Sequence, residues 1–348
     1  MIVYVDDILI ATNDKEKLDE VKAQLRKEFE TSDLGEVKKF LGMEIERDRK
    51  NQIIIIHQRK MITSVLKKFD VYQTMRTSST PMATTDAERK TACEKRAKIK
   101  FDPKRIPYRN AIGTLSYIAN STRPDIIFAV NFLSRKQQNY GEREWEQVQR
   151  IFRYLKGTLN FGIKFNGKGE GIECYVDASL GLNEESGRST SGYIIMMFGD
   201  PVAWKMNLQR QVALSSAEAE YVAMSYACKD VISVNEIANR LGKVTRKPRL
   251  YEDNRAAIKL AITEESQTLR HLVKLSYHYV RQLSSQKRID IHWISTKEQL
   301  GDFFTKPLAK QQFEKFRSNF MCDSSLFQKP TEKSRKLKKE NCDINPCE

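Results

Sequence analysis

The stretch GIECYVDASLG, residues 171–181, decides the fold, because from Gly171 onward the chain reads as strands. The first runs over Ile172–Asp177, and two more follow at Ser191–Phe198 and Val202–Met206. Three strands in succession predict an antiparallel meander. A long helix comes next, opened by Ser215 and Ser216, whose hydroxyls suit a helix start, and it runs to Leu241. A short strand over Arg249–Asp253, a helix over Arg255–Ile262, a helix near His271–Leu283 and a strand over Ile289–Ile294 complete the unit. The order βββαβαβ with a trailing helix predicts an α/β layer and excludes a barrel or a bundle.

Within that layer the acids fall at telling places. Asp177 closes the first strand, Asp253 closes the fourth, Glu220 lies early in the long helix and Asp302 starts the last one. Such positions converge on one edge of a sheet. Glu220 shares its helical stripe with Ala223, Met224, Ala227 and Val231, whereas Glu218 points away. Four carboxylates gathered without cations repel one another and resist ionisation unless a cation binds between them. Magnesium answers that need, since it takes hard oxygen ligands. Two such ions about 4 Å apart activate a water and stabilise the leaving oxygen of a phosphodiester. Each acid taken singly also reads as a helix cap or a surface charge.

Working outward, residues 1–11 carry apolar runs around Asp6 and Asp7, which predicts strand, tight turn and strand. A helix over Lys15–Phe29 follows, then a hairpin of Phe40–Ile45 and Ile53–His57, then a helix over Gln58–Phe69. Residues 74–107 are rich in Ser, Thr, Lys and Pro without an apolar period, so they read as a linker or strap. Helical patterns resume over Tyr108–Asn120, over Arg123–Gln138 with Pro124 in the first turn, and over Glu142–Leu155. The tail from about Asn319 is polar, with a basic cluster over Lys333–Lys339, and is expected to be disordered. Because Met1 leads directly into an apolar strand, the chain is expected to be a fragment.

The 348 residues exceed one ordinary core, and 40% hydrophobic with 30% charged residues is a globular composition. Lys and Arg number 60 against 45 Asp and Glu, a formal charge of +15 spread along the chain. That excess points to a polyanionic partner, nucleic acid before others, although it also suits a plain solvated basic surface. No transmembrane segment is present in the pattern. Six scattered cysteines and no signal peptide suggest a reducing compartment. Cys342 and Cys347 are spaced like half a zinc site, but no second pair follows.

The words CYVDASLG, GRSTSGYIIMM, PVAW, VALSSAEAEYVAM, LYEDNRAAIKLA and EQLGDFFTKPL occur in that order. Together they resemble the ribonuclease H domain at the end of copia-like LTR retrotransposon Pol polyproteins. The resemblance implies a ribonuclease H-like mixed sheet over 169–310, three antiparallel strands followed by parallel strands with helices. It also implies that Asp177 bridges two Mg2+ ions, for which Mn2+ substitutes, that Glu220 and Asp253 complete one site, and that Asp302 helps hold the second. The substrate it implies is the RNA strand of an RNA/DNA hybrid. Ser295, Thr296 and Lys297 occupy the stretch where cellular enzymes of this fold carry a histidine, so no catalytic histidine is assigned.

YVDDILIA, followed by LGEVKKFLGMEIE, resembles the palm of copia-like reverse transcriptases, which makes residues 1–73 a truncated palm and thumb start. Asp6 and Asp7 would sit on the polymerase hairpin, at least one of them as a magnesium ligand. Polymerisation also needs a further Asp on an earlier strand and the fingers, so this chain is expected not to polymerise DNA alone. YRNAIGTLSYIANSTRPDIIFAVNFLSR and IFRYLKGTLNFGIKF resemble the helical thumb and connection, 108–168. There Arg123, Arg135, Arg150, Arg153 and Lys156 are candidate phosphate contacts, against the plain alternative of solvated helix faces. Residues 311–348 are left as an extension expected to be disordered. Two functions follow: a metal-dependent ribonuclease H, or a non-catalytic nucleic-acid-binding remnant of a decayed or host-adopted element. The partners expected are an RNA/DNA hybrid and the rest of Pol, and the place is the cytoplasm within a particle, later the nucleus.

Overall fold

In the computed structural model, which describes residues 1–70, 76–84, 106–181, 186–243, 246–263 and 278–327, β7 (Ile172–Ser179) is the hub. It pairs antiparallel with β8 (Thr190–Met197), and β8 pairs antiparallel with β9 (Asp200–Leu208). On its other side β7 pairs parallel with β10 (Arg249–Glu252), which pairs parallel with β11 (Asp290–Trp293). The sheet order is therefore β11-β10-β7-β8-β9, the expected meander followed by parallel strands. Helix α6 (Ser216–Arg240) and helix α7 (Arg255–Ile262) lie in the connections, and helix α8 (Tyr279–Ser285) precedes β11. Residues 264–277, including His271, lie outside the described residues.

Strand alternation gives this sheet two buried faces. Cys174 and Val176 of β7, with Tyr193 and Ile195 of β8, pack against Tyr221, Val222, Met224, Ala227 and Val231 of α6. Ile194, Met196 and Met206 face the opposite way, into a second core built with the preceding helices. Those helices are α2 (Arg59–Lys68), α3 (Tyr108–Ser121), α4 (Ile127–Ser134) and α5 (Glu142–Gly157). The indole of Trp204 on β9 donates to the Ala119 carbonyl at the end of α3, 3.0 Å away. The helix expected over Arg123–Gln138 is instead a 3-10 turn, Pro124–Ile126, followed by α4.

A second five-stranded sheet gathers strands from far apart in the sequence. Its order is β12-β6-β5-β4-β3, from β3 (Lys39–Phe40), β4 (Met43–Asp48), β5 (Ile53–His57), β6 (Phe161–Phe165) and β12 (Met321–Asp323). The boundary expected near residue 73 is thus crossed by β-pairing, Ile56 of β5 lying opposite Ile163 of β6. The extension expected to be disordered is folded as far as residue 327, a correction. Helix α9 (Lys310–Arg317) and β12 bring Phe313, Phe316, Phe320 and Met321 into the second core. The basic cluster 333–339 and Cys342 and Cys347 lie outside the described residues.

Of the expected strap, 76–84 and 106–107 are described, and 76–84 packs on α5, where Arg150 donates to Thr80 Oγ1 at 2.9 Å and Met82 is buried. Strands β1 (Ile2–Tyr4) and β2 (Asp7–Leu9) form a separate antiparallel hairpin, followed by helix α1 (Lys15–Glu28). Its apolar residues Ile2, Val3, Tyr4 and Val5 are exposed.

Candidate metal centre

The acids meet because strand ends and a tight turn are stapled together. Gln299 donates its amide to Val176 O of β7 at 2.9 Å and to Tyr251 O of β10 at 3.3 Å, while its Oε1 accepts from Gly301 N at 3.0 Å. One side chain thus ties both parallel strands to the 3-10 turn Leu300–Phe304 that carries Asp302. A Cβ on Gly301 would stand 2.8 Å from the Asp177 backbone, and one on Gly192 would stand 2.6 Å from Phe304. Only glycines let this turn lie so close to β7 and β8. Across the sheet, Ser215 caps α6 by accepting from Glu218 N at 3.2 Å, and Glu218 accepts from Leu214 N at 2.8 Å. That fixes the helix start, and Glu220 turns inward.

Asp177, Glu220 and Asp302 are buried, and Asp253, just past the end of β10, is half-buried. Carboxylate oxygens of Asp177, Asp253 and Asp302 lie within 4.8 Å of one another. A second set within the same distance comprises Glu220, Asp253 and Glu252. Asp253 belongs to both sets, and Asp177, which the family resemblance implies as the bridging ligand, belongs to the first. Glu252 is the residue that sequence reasoning missed. It is fully buried and lies beside the Asp253 that was chosen as the strand-end acid.

Burial first, then repulsion from neighbouring carboxylates, raises Glu220, Glu252, Asp177 and Asp302 above the usual carboxylate range. Burial and the neighbouring Glu252, Asp177 and Asp253 push Glu220 well up, and burial does the same to Glu252. Asp177 is raised by burial despite Lys306 and Thr305, and burial with Asp177 lifts Asp302 to about 7. Burial works against the Lys306 ammonium but is outweighed by Asp177, Asp302 and Asp253, so its pKa is raised. Lys306 Nζ sits 2.7 Å from Asp302 Oδ1, Thr305 donates to Asp177 Oδ2, and Thr296 donates to Asp253 Oδ2 at 2.6 Å. Glu220 Oε2, Glu252 Oε2 and Asp302 Oδ1 are buried without a hydrogen-bond partner, and of the three only Asp302 Oδ1 has a cation within ion-pair distance. An all-carboxylate donor set with orphaned oxygens fits a hard divalent cation.

Other candidates fare differently. Asp6 and Asp7 lie in the exposed hairpin, and among the described residues they join no cluster able to hold a metal. Arg123 is corrected: it is fully buried, donates to Asp125 at 2.9 and 2.7 Å and to Thr158 O and Oγ1, and so cannot meet a phosphate. Arg150 is engaged with Thr80, and Arg135 donates to Thr190 Oγ1 at 3.1 Å. Arg153 and Lys156 are half-buried on α5. His278 bonds Tyr221 at 3.0 Å, away from the acids.

A family model described as reverse transcriptase (RNA-dependent DNA polymerase) matches residues 1–84. The chain is 32% identical over 314 residues to a retrovirus-related Pol polyprotein from transposon TNT 1-94 of Nicotiana tabacum, covering 90% of this chain and 24% of that one. The corresponding figures for the Pol polyprotein from transposon RE1 of Arabidopsis thaliana are 33% over 321 residues, 91% and 21%. It therefore spans only about a quarter to a fifth of their length. A transposon Ty5-1 protein of Saccharomyces cerevisiae is 31% identical over 236 residues, 66% of this chain and 72% of that protein. Among solved structures, LC11-RNase H1, isolated from compost, is 14% identical with a TM-score of 0.30, over 42% of this chain and 97% of that one. With a relative matched at that identity over most of its own length, and with two Pol polyproteins matched along nearly all of this chain, the protein belongs to the copia-like Pol polyproteins of LTR retrotransposons and corresponds to their C-terminal part.

Proposed function

We propose that this chain hydrolyses the RNA strand of RNA/DNA hybrids through the carboxylate centre at the edge of the β7–β10 sheet. The observation that supports it is the convergence of Asp177, Glu220, Asp253 and Asp302, with Glu252, from separate elements onto one spot. Asp177, Asp253 and Asp302 would hold one cation, and Glu220 with Asp253 the other, Mg2+ by preference and Mn2+ in its place. When bound, such ions supply an ionised water and neutralise charge on the leaving oxygen. The chain's own part is orientation: Gln299 fixes the strand ends and Thr305 holds Asp177. Lys306 carries the one cation seen within ion-pair distance of the cluster among the described residues. Hydrolysis would leave a 3′-hydroxyl and a 5′-phosphate. Arg153, Lys156, Arg150 and Arg135 are the proposed backbone contacts.

The test is cleavage of a labelled hybrid with Mg2+ or Mn2+. Asp177→Asn and Asp253→Asn should abolish cleavage and leave hybrid binding largely intact; undiminished cleavage in either variant would sink the assignment. The non-catalytic nucleic-acid-binding reading draws on the +15 charge and on Lys306 already pairing with Asp302. A wild-type chain that binds the hybrid and never cuts it would establish that reading instead. DNA polymerisation is proposed only for the whole Pol polyprotein, and the setting proposed is a cytoplasmic particle and later the nucleus.

A further inference from the structure

Glu252 sits on the side of β10 that faces α6, two residues after Leu250, which is in the apolar core there. A carboxylate at such a place must be compensated or it destabilises the fold. Its Oε1 accepts from Asn254 N at 2.9 Å, and its Oε2 has no partner. Glu220 reaches the same spot from α6, 5% exposed, and its Oε2 has no partner either. Asp253 closes the set within 4.8 Å and is the half-buried member, so the spot is open to solvent on one side. Among the described residues no Lys, Arg or His pairs with Glu220 or Glu252. The neighbouring Asp177–Asp253–Asp302 set differs, since Lys306 and Thr305 already serve it.

We propose that Glu252 is a direct metal ligand, and that Glu220, Glu252 and Asp253 form the tighter of two unequal divalent-cation positions. The weaker position is the Asp177–Asp253–Asp302 set, where an incoming ion competes with the Lys306 ammonium. This inference rests on the carboxylate cluster being a metal centre.

Mn2+ binding to the full chain, measured by calorimetry and by the loss of the free-ion resonance signal, tests it without any substrate. Wild type should bind Mn2+ in two unequal steps and gain melting temperature with the first. Glu252→Gln, close in size and uncharged, should weaken the tighter step about tenfold or more, the scale on which supporting groups tune metal affinity. It should also lose most of the Mn2+-induced rise while melting no lower than wild type in EDTA. Lys306→Gln should strengthen the weaker step and leave the tighter one alone, a check independent of any change at Glu252. A wild-type chain that binds no Mn2+ overturns the metal-centre reading itself. A normal wild type with an unchanged tighter step in Glu252→Gln overturns only the role of Glu252.

Discussion

Asp302 shows what one buried acid does to this protein. Its folded pKa, about 7, stands above the ordinary 3.8, so the folded chain holds that proton more strongly than the unfolded chain. The stability this contributes is complete below the unfolded value and is lost as pH rises through the folded one. Metal-free protein should therefore melt at falling temperature as pH climbs through neutrality, and Asp302→Asn should flatten that slope. A wild-type melting temperature in EDTA that is level across the neutral range would refute the assignment. Gly301 makes a second point at this scale. Because an added Cβ meets Asp177 backbone and side chain at 2.8 Å, Gly301→Ala has no flexible neighbour to push aside. It should cost about 1–3 kcal/mol in denaturant melts, the usual range for overpacking, and weaken Mn2+ binding by displacing Asp177.

The elements are joined by a buried ionic clamp whose members lie far apart in the chain. Arg123 grips Asp125 and the end of α5 at Thr158, Tyr154 donates to Asp125 Oδ2 at 2.5 Å, and Arg317 of α9 donates to Tyr154 at 2.9 Å. Asp125→Ala would strand a fully buried guanidinium and should destabilise the chain by about 3–5 kcal/mol, measurable by chemical denaturation. This clamp also shows where local reading fails. In STRPD, Arg123 looks like any basic residue near a helix start, and nothing local reveals that Thr158 and Tyr154 will close over it. Strands β6 and β12 escaped for the same reason, since their partners lie a hundred residues or more away, Met321 opposite Ile163 and Ile163 opposite Ile56. By contrast β7 to β9, α6 and β10 were legible, because period, caps and strand-end acids are local properties. Glu252 was hidden by its position: with Asp253 at the strand end, the residue before it reads as an ordinary alternating polar side chain.

At the scale of the whole molecule, the β11-β10-β7-β8-β9 sheet draws its cover from beyond its own stretch of chain. Its α6 face is covered from within, by residues between 172 and 289. The other face, Ile194, Met196 and Met206 with Leu300, Phe303 and Phe304, is covered by α3, α4 and α9, and the same core continues to Ile62 and Leu66 of α2. Burying one such aromatic is worth about 1.5–3 kcal/mol, comparable to a sizeable part of a domain's net stability. Phe313, Phe316 and Phe320 all come from beyond residue 310. A fragment of residues 169–310, the span that sequence words alone mark as the domain, should therefore expose that face. It is expected to bind a hydrophobic dye, to lack a cooperative melt and to hold no Mn2+, whereas the full chain melts as one transition over both sheets. Within the full chain, Phe316→Ala should cost about 3–5 kcal/mol and weaken Mn2+ binding by loosening the turn carrying Asp302, which α9 braces. If residues 169–310 alone melt cooperatively near the temperature of the full chain, the covering helices are an accessory and the two sheets are independent domains.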